Sequence, residues 1–417
     1  MGSKTLVNRL RRRDGVLAGL AMLALAGGFK FAHAQELTLI HFSSYKAATD
    51  DAIAAFEAAN PGVKIRASYV GEPQSVRAQF TTGNAPDITL TYPGDGTAMA
   101  VHQLGKAGLL EDLSDAAWTK SVSPTFRRAI SYGGKVYAVP VGYSYIAMYS
   151  NDAVLKSVGA TIPTNFNELL AFCDKAKATT IPIAFGLKEN IPTLFPGYAM
   201  IASTTFVDNP NFAEDHAAGK TNFAKGYRQS MEMYLQMRDR GCFSRTAAGN
   251  SNDDALKQLA NGQAALYVGV VNYVATLTKY NPDAKITQSP FPGNTDASKV
   301  RVPIGPTLSY GVSSQSKHKD IAKKFLAYLA QPEANRKWAA TSAQLPAADI
   351  DSTPVTPGNS TAIAAALKER KTVGYLDRAW PNSKVQPAYM AGIQELLSNQ
   401  TSIDALLKRL DDAYAAQ

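Results

Sequence analysis

The stretch Gly133–Gly186, GGKVYAVPVGYSYIAMYSNDAVLKSVGATIPTNFNELLAFCDKAKATTIPIAFG, decides the fold. Two short apolar runs, Val136–Val139 and Ile146–Tyr149, are joined by Pro140-Val141-Gly142-Tyr143-Ser144-Tyr145. That joining segment is too aromatic for an ordinary solvated turn, so something must pack on it. After the second run comes a helix: Asn165 is its N-cap, Glu168 completes a capping-box-like pair, and Leu169, Phe172, Cys173 and Ala176 recur at helical spacing. Ile181–Phe185 is a further buried run. Strand, aromatic crossover, strand, helix, strand is the path of a chain passing from one α/β lobe to another, and it puts tyrosines at the crossing.

Upstream, the pattern is βαβ. Leu37–Phe42 is a strand ending in Ser43-Ser44-Tyr45-Lys46, and a helix runs from Ala47 to Ala59, stopped by Asn60-Pro61-Gly62. Val63–Tyr69 is the next strand, Gln74–Thr81 a helix, and Ile88–Thr91 a strand broken at Tyr92-Pro93-Gly94-Asp95. Ligands of open parallel sheets bind beyond the carboxyl ends of the strands. Ser43–Lys46 and Tyr92–Asp95 are two such ends, and each brings hydroxyl, aromatic and charged groups to the same edge. Downstream, Met231, Tyr234, Leu235 and Arg238 mark an amphipathic helix. Asp253–Ala260 is a helix closed by Asn261-Gly262, and Ala264–Val271 is a strand with Asn272-Tyr273 at its end. Ser309–Ser316 is strand-like, Ile321–Leu329 helical, Asp349–Ser360 a loop or linker, and Ala388–Ala415 two helices broken near Ser398-Asn399-Gln400.

The 417 residues are too many for one ordinary core and suit two α/β lobes. Hydrophobic content of 45% and charged content of 18% are those of a folded chain. The N-terminus reads as an export signal: Arg9, Arg11, Arg12 and Arg13, an apolar stretch from Val16 to Gly28, then Ala32-His33-Ala34 as a cleavage site before Gln35. Arg12-Arg13 matches the pair of a twin-arginine signal, but Asp14-Gly15-Val16 continues it poorly, so both export routes stay open. No cysteine lies near the cleavage point to carry a lipid. Residues 1–34 hold six basic residues and one acid, so their removal lowers the net charge from +9 by 5, to +4. No Lys/Arg run remains to suggest nucleic acid. An oxidising compartment permits a Cys173–Cys242 disulfide, whereas the apolar helix face of Cys173 favours a buried thiol.

Catalytic and metal motifs are missing from the sequence. The histidines are scattered without HExxH or a Cys/His cluster, and there is no G-x-S-x-G elbow and no phosphate-cradling glycine loop. Asp50-Asp51, Glu111-Asp112 and Asp253-Asp254 stand at helix starts, where carboxylates favour the positive end of the dipole. Asp95, at a strand end beside Tyr92 and Gly94, fits a turn role and a ligand role equally. Trp118 and Trp338 read as packing residues. Trp380, in a Pro- and Asn-containing segment, is either a stacking platform or a loop anchor on its own lobe.

Several segments, in order, resemble the sugar-type (family 1) solute-binding proteins of ATP-binding-cassette importers, relatives of maltose-binding protein. They include Ala85-Pro86-Asp87-Ile88, Ala107-Gly108-Leu109-Leu110-Glu111-Asp112-Leu113, Gly134–Pro140 continuing to Met148–Asn151, Pro163–Leu169, Asn261–Leu266, Ser316–Leu326 and Gln344-Leu345-Pro346-Ala347. The resemblance implies an α/β fold of two lobes (class II periplasmic-binding-protein type) joined by hinge strands, with ligand clamped in the cleft. It implies a signal peptide at 1–34, a discontinuous N-terminal lobe of 35–144 and 304–346, and a C-terminal lobe of 145–303 and 347–417. By position it places Ser44 and Tyr45 in the first cleft loop and Tyr92, Gly94 and Asp95 in the second. Tyr143 and Ser144 fall at the hinge, Glu189 (with Lys188 and Asn190) beyond a second-lobe strand, and Asn272 and Tyr273 where relatives often carry an indole. Tyr310 and Trp380 complete the expected wall. Tyrosines in place of tryptophans suit a mono- or disaccharide or a polyol better than a long oligosaccharide.

The expectation is a periplasmic, non-catalytic, monomeric receptor, cleaved after Ala34 and free of a lipid anchor. It would deliver a small sugar to a membrane permease without cofactor, metal or nucleic acid. Two rivals keep other ligands or chemistry in play: the same fold binding a polyamine, organic acid or oxyanion, and an exported glycan-active enzyme using Asp95 and Glu189.

Overall fold

The computed structural model describes residues 35–70, 74–122, 124–244, 246–350 and 356–416. The expected export signal lies outside these residues. Two five-stranded paths carry the architecture. The first sheet runs Val63–Val70, Gln35–Phe42, Ile88–Thr91, Ser309–Val312, Ala138–Pro140. Its first three strands are parallel, and Ser309–Val312 lies antiparallel to both of its neighbours. The second path runs Thr372–Gly374, Val302–Pro306, Gly142–Asn151, Ala264–Val270, Ile181–Ile183. Ile286–Ser289 and Leu345–Pro346 pair with opposite ends of its central strand.

Each sheet is covered by helices whose apolar faces make separate cores. Ile53, Phe56, Phe325, Leu326 and Trp338 pack on the first sheet, and Leu169, Phe172, Met231, Met237 and Ile393 on the second. The helix Phe166–Ala176 forms as its sequence dictates: Asn165 Oδ1 accepts from the Glu168 N–H at 3.0 Å, and Glu168 in turn accepts from the Thr164 N–H at 2.7 Å. Cys173 on that helix is disulfide-bonded to Cys242, with Cα atoms 4.9 Å apart. The apolar face that favoured a buried thiol buries a half-cystine instead, because the helix Arg228–Asp239 ends beside it. Among the described residues no helix is long and apolar enough to cross a membrane.

Among the described residues the chain passes between the sheets three times. It crosses at Val141, between Ala138–Pro140 and Gly142–Asn151; at Thr307-Leu308, between Val302–Pro306 and Ser309–Val312; and at Leu345–Pro346, which follows the first-lobe helix Pro332–Thr341. The segment expected to be an aromatic joint is therefore mostly strand: Gly142–Asn151 is ten residues long and buried throughout. Tyr143 and Ser144, expected at the end of the first lobe, already pair with Pro306 and Gly305 in the second sheet. Tyrosines need no turn here, because neighbouring strands flank Gly142–Asn151 on both sides and helices cover it.

The crossings are stitched to one another. Thr307 donates its N–H to the Gly142 carbonyl at 3.1 Å, and its hydroxyl lies 2.5 Å from Gln344 Oε1. A Cβ at Gly142 would strike the Gln344 carboxamide, so a larger residue here would displace that side chain and its bonds to Thr307 and Tyr45.

Candidate functional site

The carboxyl ends of parallel strands from both sheets face each other across these crossings. On the first lobe, Gln35–Phe42 runs into a 3-10 turn, Ser43–Tyr45, and then the helix Lys46–Ala59. Ser44 lies in that turn. The Tyr45 ring stacks on Trp338 at 5.7 Å and meets His41 edge-on at 5.5 Å. Its hydroxyl accepts from Gln344 Nε2 at 2.9 Å, which ties it to the third crossing. Burial pushes the Tyr45 phenol up to about 12; the Gln344 bond opposes this, and the Tyr273 phenol of the other lobe adds to it. His41 beneath is fully buried with neither ring nitrogen hydrogen-bonded, and burial drives its pKa down to about 3.

The second first-lobe loop meets the other lobe directly. Tyr92 packs on Phe42 at 5.9 Å, and the Arg378 guanidinium lies over its ring, also at 5.9 Å. Gly94 has φ +87°, and a Cβ there would sit 2.6 Å from the Arg378 carbonyl oxygen; at Gly96 it would sit 2.5 Å from that of Asp377. Gln103 Nε2 completes the seam by donating to the Pro381 carbonyl at 3.2 Å. Asp95 is held by its own lobe: its carboxylate is 2.7 Å from His102 Nδ1 and 3.4 Å from Gln103 Nε2. Burial alone would lower the His102 pKa, but Asp95 more than offsets it and the pKa is raised. Arg128 and Glu214 form an ion pair between the lobes.

On the second lobe, the chain beyond Ile181–Ile183 is zipped to residues 247–252. The Leu187 N–H bonds the Ala247 carbonyl at 2.9 Å and the Lys188 N–H that of Asn250 at 3.0 Å. This delivers Glu189, exposed, to the start of the helix Asn252–Ala260, where its Oε2 accepts from the Asn252 N–H at 3.0 Å. Asn272 and Tyr273 follow the strand Ala264–Val270 and open the helix Tyr273–Tyr280. The Tyr273 ring lies across Gly269, where a Cβ would be 2.6 Å from it. Burial raises its phenol; hydrogen bonds with Asn252 and Tyr267 oppose that, and Glu189 adds to it.

The third second-lobe edge is the end of Thr372–Gly374. Tyr375 is half-buried beside the Ser144 hydroxyl; desolvation pushes its phenol up, the Ser144 bond and Arg378 oppose this, and Asp377 and Tyr45 add to it. Arg378 is clamped by Asp377 at 3.1 Å and by the Pro306 carbonyl at 3.3 Å. Tyr45 of one lobe is thus close enough to Tyr273 and Tyr375 of the other for the phenols to influence one another. A cavity of about 500 Å³ opens between the lobes beside this group, lined by His102 and Arg128 on one side and Tyr375 and Arg378 on the other. Cavities of this size hold small ligands.

Of the residues expected at the site, Tyr45, Tyr92, Gly94, Asp95, Glu189, Asn272 and Tyr273 stand at facing strand ends, and Ser144 lies beneath Tyr375. Three sit inside the lobes instead. Tyr310 is 0% exposed, its hydroxyl bonded to Thr49 at 2.9 Å. Trp380 is 3% exposed, edge-on to Tyr198 and Phe223 in the second core. Tyr143 is 1% exposed and packs on Phe126. For Trp380 the anchoring role prevails, because the loop it ends turns its ring inward to fill the space above the helix Val385–Leu397. Sequence reasoning missed Asn252, Gln344, Tyr375, Asp377 and Arg378. Asp377 and Arg378 lie two or three residues from Trp380, and the charged pair in an apolar context was the available signal. Among the described residues no group of His, Cys, Asp and Glu is arranged to hold a metal ion.

Comparison with known proteins gives the fold a lineage. The sequence model described as "Bacterial extracellular solute-binding protein" matches residues 51–350. The chain is 23% identical over 352 residues to the multiple sugar-binding protein of Streptococcus mutans, covering 81% of this chain and 80% of that protein. A Bacillus licheniformis sugar transporter protein solved in complex with stachyose superposes with a TM-score of 0.69 at 20% identity, covering 91% of this chain and 99% of that one. A solute-binding protein of Thermotoga lettingae bound with α-D-tagatose superposes with a TM-score of 0.70 at 16% identity, over 91% and 98% of the two chains. At these identities the structural likeness concerns the fold.

Proposed function

The chain belongs to the bacterial extracellular solute-binding protein family, and we propose that its solute is a small carbohydrate, a mono- or disaccharide or a polyol. The observation that carries this reading is the facing of Tyr45 on one lobe with Tyr273 and Tyr375 on the other, beside the carboxylate of Glu189. Flat phenol rings suit the apolar face of a sugar, and neutral hydroxyls with a carboxylate suit its hydroxyl groups. The raised phenol pKa values keep the rings uncharged at neutral pH, so they serve as hydrogen-bonding groups rather than as acids.

Function in this reading is closure without bond chemistry. The lobes rotate about the three crossings, close on the sugar, and present the closed form to a membrane permease that distinguishes it from the open one. Ser44, Tyr45, Tyr92, Gly94, Asp95, Ser144, Glu189, Asn272 and Tyr273 form the proposed cleft, joined by Tyr375 and Arg378. The protein acts as a monomer in the periplasm after cleavage behind Ala34. Names of relatives that include "sugar-binding" and solved relatives holding stachyose or tagatose support the carbohydrate assignment.

Titration calorimetry of the purified protein against a panel of mono-, di- and trisaccharides and polyols tests it. Micromolar binding, about −8 kcal/mol, of at least one member is expected. Absence of binding across the panel would refute the carbohydrate assignment.

A further inference from the structure

Glu189 lies in the segment after Ile181–Ile183 and Tyr273 just after its parallel neighbour Ala264–Val270, and one residue bonds both. Asn252 is the first residue of the helix Asn252–Ala260, fixed by a capping box in which Ser251 and Asp254 each bond the other's backbone N–H. Its own N–H donates to Glu189 Oε2 at 3.0 Å. Its carboxamide oxygen accepts from the Tyr267 hydroxyl at 2.6 Å, and its carboxamide nitrogen donates to the Tyr273 oxygen at 3.2 Å. Tyr267 is fully buried, so this arrangement cannot swing away.

The polarity of the chain has a chemical consequence. With the Tyr267 proton on the Asn252 oxygen, the amide NH₂ faces Tyr273. The Tyr273 oxygen then accepts from Asn252, and its own proton turns either to the Tyr267 oxygen or outward to a ligand. Glu189, ionised, only accepts. Gly269 holds the Tyr273 ring in register, since a Cβ there would lie 2.6 Å from it. The nearby charges are engaged with one another: Lys257 pairs with Asp253, and Lys188 and Lys257 both act on Asp254.

We propose that Asn252 is a positioning residue that makes this wall a donor–acceptor couple, Tyr273 O–H donating and Glu189 accepting, and that the couple selects neutral sugars over acidic ones. The inference rests on the carbohydrate reading above. Adjacent hydroxyls of a neutral sugar satisfy both members, one accepting from Tyr273 and one donating to Glu189. A uronate has a carboxylate that repels Glu189.

The test uses glucose, galactose and xylose against glucuronate and galacturonate, by calorimetry at about pH 7 and about pH 4.5. Each neutral sugar that binds is expected to bind at least about tenfold tighter than its uronate. Asn252→Asp keeps the side-chain shape and the bond from Tyr267 but removes the donor to Tyr273. It is expected to weaken neutral-sugar binding about tenfold at the higher pH, with the unliganded melting temperature held. The ratio of variant to wild-type Kd then narrows at the lower pH, where the introduced acid is protonated and donates again. Tyr273→Phe, which deletes only the hydroxyl, reproduces the loss at both pH values and covers the case of an unstable Asn252 variant. A uronate binding as tightly as its parent, an Asn252→Asp variant with wild-type affinity, or a loss identical at both pH values would each overturn this inference alone. Failure of every sugar to bind would overturn it together with the carbohydrate reading.

Discussion

Replacing Gly96 by alanine perturbs the seam between the lobes and nothing else. The added Cβ would lie 2.5 Å from the Asp377 carbonyl oxygen, 3.3 Å from its carbonyl carbon and 3.4 Å from its Cβ. An ordinary contact needs roughly 1 Å more than the first of these, and the obstructing atom is backbone of the opposite lobe. Gly94 meets Arg378 similarly, but its φ of +87° adds strain to any substitution, so Gly96 is the cleaner site. The Asp377 backbone cannot recede freely, because Arg378 is tied to the Pro306 carbonyl and Pro381 to Gln103. Overpacking of this kind costs about 1–3 kcal/mol. In the closure reading the open, unliganded form does not make this contact, so the whole cost falls on closure. Sugar affinity is therefore expected to fall roughly 5- to 150-fold, while the unliganded melting temperature stays within about 1 °C of wild type. Gly249→Ala, where a Cβ meets nothing within 4 Å, is the control. Calorimetry with the sugar chosen by the panel measures the affinities. Unchanged affinity in Gly96→Ala would refute the reasoning that the seam forms on closure, and an equal loss of unliganded stability would show it to be a permanent contact.

Three further outcomes follow from the packing. Trp380→Ala empties a core position and is expected to cost about 3–5 kcal/mol of unfolding free energy by urea denaturation, where a purely ligand-contacting ring would cost little. Breaking the Cys173–Cys242 bond, whose partners are 69 residues apart in sequence, is expected to cost about 4 kcal/mol on the loop-entropy argument and to leave sugar affinity unchanged; denaturation with and without reductant measures it. His41, with its folded pKa depressed to about 3, takes up its proton more readily when unfolded, so its contribution to stability is complete above about pH 6.5 and is lost as pH falls toward about 3. In His41→Phe the urea midpoint should fall less over that window than in wild type, and an identical pH dependence would count against the assignment.

Local patterns carried much of the architecture. The strands at Ile88–Thr91 and Val63–Val70, the capped helix Phe166–Ala176 and the paired C-terminal helices were legible because apolar period, cap and breaker agree at each. The crossing was harder. Pro140 and Gly142 look like turn residues, yet each sits in a strand, because the crossing consumes only Val141. The apolar side of Cys173 gave no warning of a disulfide, since its partner arrives from a helix end 69 residues away. At the proposed site, Tyr45, Tyr92 and Tyr273 were singled out because they follow strand ends, and Glu189 by its place in the family resemblance. Asn252 was hidden because its helix start reads as an ordinary cap, and only the approach of two distant tyrosines gives its amide a task. Trp380 and Tyr310 are aromatic rings in polar or strand-end contexts, where sequence does not tell which way a side chain turns.

A crystal structure of the protein with the tightest-binding sugar of the panel tests the central claim most directly. The account predicts sugar enclosed between the lobes, a ring face on Tyr45 or Tyr273, with hydroxyls within hydrogen-bond distance of Glu189 and the Tyr273 hydroxyl. Sugar bound to one lobe alone, or away from Tyr45, Glu189 and Tyr273, would contradict it.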